Sequence, residues 1–203
     1  MNNSNEKIFD TINNSDSIVR LDIGCGHKKI SVDHIGIDRI NRGGVDIVGD
    51  YQEALKRIDS SRVDEIYSAH FLEHIDDLEY FVEESLRVLK KGGKAILIAP
   101  HFSNPYFYSD PTHVKFFGLY TFCYYAECNF LKRKVPQYEH NIGFKINNVK
   151  INFQSTAPFY VRHGFKKTIG MIVNSSNYLK EFWEENLCYA LPGYELVYEL
   201  EKI

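Results

Sequence analysis

At 203 residues, with 44% hydrophobic and 25% charged positions, the chain has the size and composition of one globular domain with a substantial buried core. Its net charge of -3 offers no clustered positive field for a polyanion, which argues against nucleic acid as a partner. No run approaches the roughly 18 apolar residues of a membrane span, so no membrane partner is expected.

Residues 1–17 read as an N-terminal extension, and the polar start MNNSNEKIFD lacks the basic and apolar regions of a signal peptide. The four cysteines, Cys25, Cys123, Cys128 and Cys188, form no CxxC pair. Together these features predict a cytoplasmic protein whose reduced thiols act as small apolar fillers.

From residue 18 to 99 short apolar runs alternate with polar or helical ones, the pattern of parallel strands joined by crossovers. Strands are predicted over 18–23, 34–38, 45–48, 63–68 and 94–99. Between the last two, Leu78, Phe81, Val82, Leu86 and Leu89 make one apolar helical stripe. Asp76 or Asp77 can cap its start, and Gly92 with Gly93 can form its exit. Only about eight residues, His27 to His34, separate the first glycine-rich turn from the second strand, so the first crossover helix is expected to be one turn or absent. After Pro100 the chain turns rich in aromatics and histidine, and this half, 101–203, is expected to form the substrate side. A sixth strand is predicted over 144–153, a helix over 177–189 and a seventh strand over 194–200.

The run LDIGCG places Gly24 and Gly26 directly after a strand, where bare backbone can lie against a ligand. Asp38 ends the next apolar run, where a carboxylate can accept both hydroxyls of a ribose. Asp50 repeats the arrangement after the third strand, placing an acceptor where the exocyclic amine of adenine could donate.

The strings LDIGCG, GIDR, VGD, IYSAHFLEHI and LRVLKKGGKAILIAP, in this order and spacing over about half the chain, resemble the class I S-adenosylmethionine-dependent methyltransferases. The resemblance is to the bacterial group that includes small-molecule and polysaccharide-cluster methyltransferases. It implies an α/β, Rossmann-like, single-domain fold whose seven-stranded mixed sheet, flanked by helices, is mostly parallel with an antiparallel last strand. It also implies that Asp22, Gly24, Cys25 and Gly26 line the methionine part of the cofactor S-adenosylmethionine and that Asp38 holds its ribose. Asp50 and Tyr51 would border the adenine, and His70 would close the site after the fourth strand. Glu73 and His74 in FLEHI belong to the resemblance as loop-orienting residues.

The implied reaction is methyl transfer to a small or sugar-like acceptor, at oxygen. A hydroxyl acceptor gains reactivity from a base, and histidine has the fitting pKa. The candidates are His113 in Asp110-Pro111-Thr112-His113, with Asp110 holding it, and His101 at the end of the fifth strand. Tyr106, Phe107, Tyr108, Phe116, Phe117, Tyr120, Phe122, Tyr124 and Tyr125 are candidates for a stacking wall, although such residues commonly serve as core. His101, Asp110 and His113 are acceptable metal ligands by type, but their spacing is no recognised pattern and no metal is expected. A nicotinamide-dependent oxidoreductase would need a glycine at Lys29 to complete GxGxxG. A non-catalytic, cofactor-binding regulatory module is the remaining alternative.

Overall fold

The computed structural model describes residues 3–136 and 143–203. Eight strands form one sheet: β1 (Arg20–Ile23), β2 (Ile35–Asp38), β3 (Ile47–Val48), β4 (Val63–Ala69), β5 (Leu89–Pro100), β6 (Ala126–Glu127), β7 (Phe144–Asn152) and β8 (Glu195–Lys202). Their spatial order is β3-β2-β1-β4-β5-β8-β7-β6. The first five strands are mutually parallel, β8 runs antiparallel between β5 and β7, and β6 pairs parallel with β7. The expected Rossmann-like sheet is therefore present, with eight strands where seven were predicted. The additional strand is the two-residue β6, too short to leave a periodic signal.

Strand order reverses at β1 and β4, so the carboxyl ends of these two strands open a crevice, the usual ligand site of such sheets. The helices are α1 (Asn3–Asn14), α2 (Tyr51–Lys56), α3 (Leu78–Val88), α4 (Tyr160–Val173) and α5 (Asn177–Asn186). In α3 the apolar stripe buries Leu78, Phe81, Val82 and Leu86, and Asp77 caps the start by accepting from the Tyr80 amide. The expected exit at Gly92 and Gly93 is displaced: α3 ends at Val88, and both glycines lie inside β5.

The connection from β1 to β2 holds no helix. It is pinned by side chains, with the Ile30 amide donating to Asp22 Oδ2 at 2.8 Å and Lys29 Nζ to Asp46 Oδ2 at 2.7 Å. Three helices were not foreseen: α1, within the stretch read as an extension, α2 and α4. The first buries Phe9 and Ile12 in the core, whereas α4 leaves Tyr160, Val161, Phe165 and Met171 exposed. Among the described residues no disulfide forms, and Cys25, Cys123 and Cys188 are buried, as apolar fillers should be.

Candidate active site

Along the carboxyl edge of β1 to β4 runs a cleft of about 840 Å³, with a smaller hollow of about 340 Å³ beside it. Gly24 borders both. Its φ of +76° suits glycine, and a Cβ there would stand 2.4 Å from the Phe71 ring, so any side chain would be blocked twice over. Phe71 in turn packs edge-on against Tyr51, with ring centres 5.3 Å apart, and fixes the wall between the two spaces.

The smaller hollow is lined by Asp22, Cys25 and Lys29, among others. Burial raises the pKa of the Asp22 carboxyl, an effect opposed by the hydrogen bond from the Ile30 amide. The Cys25 thiol is pushed up to about 12 by burial and by the nearby Asp22 and Asp38 charges, which keeps it a protonated filler.

The main cleft gathers Gly26, Asp38, Asp50, Tyr51 and His70. Asp38 is held by two backbone amides, Gly26 to Oδ2 at 2.9 Å and Ile40 to Oδ1 at 2.8 Å. Each of its oxygens keeps a second lone pair, so the carboxylate is fixed and can still accept two hydroxyls. Asp50 is the N-cap of α2, accepting from the Gln52 amide at 2.8 Å. Open space lies beyond the would-be Cβ positions of Gly26 and Gly49, where bare backbone can meet a ligand. The shape and acceptor set fit an adenosine with a short polar tail, the donor pattern of S-adenosylmethionine.

His70 follows β4 with a positive φ of 53°, a conformation that costs of order 1–3 kcal/mol outside glycine. Two carboxylates hold it there: Glu195 Oε2 stands 3.0 Å from Nε2, and Glu73 Oε1 stands 3.4 Å from Nδ1. Glu195 reaches this edge because β8 is antiparallel, its first residue pairing with Pro100 at the end of β5. The hydrogen bonds from Glu195 and Glu73 lift the His70 pKa to about 9. The imidazole is thus charged at neutral pH and cannot serve as a proton acceptor.

The outer end of the cleft is built by the DPTH segment and the short 3-10 turn Leu72–His74. The Val114 amide donates to the Glu73 carbonyl at 2.8 Å, tying the two together. Asp110, Thr112 and His74 line the cleft, and His113 stands behind His74 with ring centres 4.8 Å apart. His113 is braced by Phe107, whose carbonyl is 2.9 Å from Nδ1 and whose ring centre is 4.8 Å away.

His101 does not face the cleft. It is 0% exposed, packed between Phe102 and Trp183, with Ser103 Oγ 2.7 Å from Nδ1 and Glu184 Oε2 3.1 Å from Nε2. Residue 101 is one step past Pro100, where the alternation of β5 sends the side chain toward α5 instead of the ligand edge. The candidate ligand set of His101, Asp110 and His113 is therefore not assembled. Among the described residues the structure instead brings Glu73, His74 and His113 together, with ligand-type atoms within 4.8 Å of one another. The aromatic segment divides: Phe107, Phe117 and Phe122 are buried, while Tyr106, Tyr108 and Phe116 remain exposed. His74, read from the sequence only as a loop-orienting residue, lines the cleft, as do Arg39, Arg42 and Gln52, which sequence reasoning passed over.

A family model described as a methyltransferase domain matches residues 36–97, which run from β2 through most of β5. The matched stretch, under a third of the chain, resembles a methyltransferase domain. Solved structures repeat the fold of this chain over nearly its whole length. One, an S-adenosylmethionine-dependent methyltransferase from Archaeoglobus fulgidus, is 19% identical with a TM-score of 0.60, covering 98% of this chain and 95% of its own. Another, from Thermotoga maritima, is 15% identical with a TM-score of 0.51, covering 98% and 87%. The YcgJ protein of Bacillus subtilis is 16% identical with a TM-score of 0.50, covering 98% and 97%. Comparison with curated proteins gives no match.

Proposed function

We propose that the protein is an S-adenosylmethionine-dependent methyltransferase that methylates a small-molecule or sugar-like acceptor at a hydroxyl oxygen, with the cofactor laid across Gly24. Asp38 takes the ribose, Asp50 and Tyr51 border the adenine, and the Asp22 hollow takes the methionine tail. The bound cofactor supplies a methyl carbon on a sulfonium, an already activated leaving group. The acceptor oxygen bonds to that carbon as the carbon–sulfur bond breaks, and the hydroxyl proton must go to a base on the protein.

One observation carries this reading: a histidine on the cleft wall whose hydrogen bonds leave its outer nitrogen bare. Asp110 Oδ1 accepts from the Thr112 hydroxyl at 2.6 Å, and the Thr112 hydrogen bonds lower the Asp110 pKa, so the carboxylate is an acceptor only. The hydroxyl has spent its one proton, and the contact of 2.9 Å to His74 Nδ1 must therefore run from the imidazole N–H to Thr112 Oγ1. The tautomer is set, and His74 Nε2 is left as a lone pair. An imidazole held in this way can take up a hydroxyl proton at Nε2. His74 thereby takes the place on the cleft wall for which His113 was the candidate, and His113 supports it from behind. Charged His70, next to the sulfonium path, is offset by its two carboxylates, so the site is not closed to a cationic cofactor.

The test is transfer of labelled methyl from S-adenosylmethionine to a panel of nucleotide sugars and hydroxylated metabolites. A methylated hydroxyl is expected, with turnover about 100-fold lower in His74→Ala and S-adenosylhomocysteine affinity almost unchanged. Transfer to an amine, indifferent to His74→Ala, would overturn the acceptor reading.

A further inference from the structure

We infer that Glu73, His74 and His113 form a binding site for one divalent first-row transition cation at the acceptor end of the cleft. The inference deepens the acceptor reading above and rests on its placement of the acceptor beside His74.

Two independent features of the cluster point the same way. Glu73 is 1% exposed, and its Oε2 has no hydrogen-bond partner. A buried carboxylate oxygen without a partner is a costly arrangement that native structures ordinarily fill with a donor or an ion. Second, the tautomers of both histidines are set by their outer contacts. His74 Nδ1 donates to Thr112, and His113 Nδ1 faces the Phe107 carbonyl, which can only accept. Both Nε2 atoms therefore carry lone pairs, and no described residue donates a hydrogen bond to either. An imidazole whose far nitrogen is fixed by a hydroxyl or a carbonyl is the usual preparation of a metal-binding histidine.

Two imidazole nitrogens and one carboxylate oxygen suit Zn²⁺, Co²⁺, Mn²⁺ or Fe²⁺ better than the oxygen-seeking Mg²⁺ and Ca²⁺. The ligand atoms lie within 4.8 Å of one another, and closure on an ion would draw the widest pair together by about 1 Å through side-chain rotation. His74 borders the cleft, which leaves the ion an open side for an acceptor oxygen. A hydroxyl bound there would release its proton more readily, the same task assigned to the bare imidazole.

The chelator-stripped full chain, without cofactor or acceptor, is titrated with Co²⁺ by visible absorption and with Zn²⁺ by calorimetry. One equivalent of each should bind, with no comparable heat from Mg²⁺. His113→Ala and Glu73→Gln should each weaken Zn²⁺ binding by 10-fold or more, and His74→Ala likewise, while Asp38→Ala leaves it unchanged. Circular dichroism checks that every variant is folded, and S-adenosylhomocysteine affinity does so for the Glu73, His74 and His113 variants. Absent uptake by the unmodified chain, or equal uptake by the folded His74→Ala and His113→Ala variants, overturns the site. If the unmodified chain takes up no cation while His74→Ala still lowers turnover, the imidazole acts directly and the acceptor reading stands alone.

Discussion

The cofactor half of the cleft and its acceptor half are assembled by different rules. Around β1 to β4 each ligand-facing group sits at a strand end and is held by neighbours close in sequence: Asp38 by the Gly26 and Ile40 amides, Asp50 by the start of its own helix. Parallel pairing then brings the strand ends to one edge without further instruction. The acceptor half joins residues from distant segments, with His74 and Thr112 meeting across 38 positions and His70 and Glu195 across 125. Local rules build the first half, and tertiary packing decides which histidine serves the second.

The histidines give the sharpest way to break that contrast. If packing assigns the roles, His74→Ala lowers methyl transfer by about 100-fold with little loss of stability. His101→Ala should do the reverse, costing about 2–4 kcal/mol in urea unfolding because a buried, doubly hydrogen-bonded ring is removed, with turnover of the folded fraction nearly intact. The opposite assignment of effects would return His101 to the site.

A smaller effect sharpens the cofactor side. Asp38→Ala should weaken S-adenosylhomocysteine binding by about 1.5–3 kcal/mol, the range for hydrogen bonds to a charged group, and Asp38→Asn by less because one acceptor oxygen remains. Calorimetric titration of both variants checks the order.

The smallest expected effect concerns His70, half exposed between Glu73 and Glu195. Its folded pKa, about 9, lies above the ordinary value of 6.5, so the pair of ionic contacts stabilises fully below about pH 6.5. That contribution fades as pH rises through about 9. Chemical denaturation across pH 6 to 10 should show a decline that His70→Gln flattens.

The sheet, the missing first crossover helix and the ligand-facing acids were legible because strand periodicity and strand-end acids are local signals. Gly92 and Gly93 misled, since a helix exit and a strand interior can share the same glycine pair, and the pairing of β5 with β4 and β8 decided for the strand. His101 misled for a related reason: the sequence placed it at a strand end, but only the packing of Trp183 and Glu184 reveals which face it takes. His74 was visible in FLEHI, yet its bare nitrogen follows from Thr112 and Asp110, which are not its sequence neighbours.

The most direct test of the central claim is titration calorimetry of the unmodified chain with S-adenosylhomocysteine and, separately, with NAD. The cleft described here predicts saturable one-to-one binding of S-adenosylhomocysteine and no measurable heat from NAD, whose phosphate loop would need glycine at Lys29. Tight binding of NAD with no response to S-adenosylhomocysteine would contradict it.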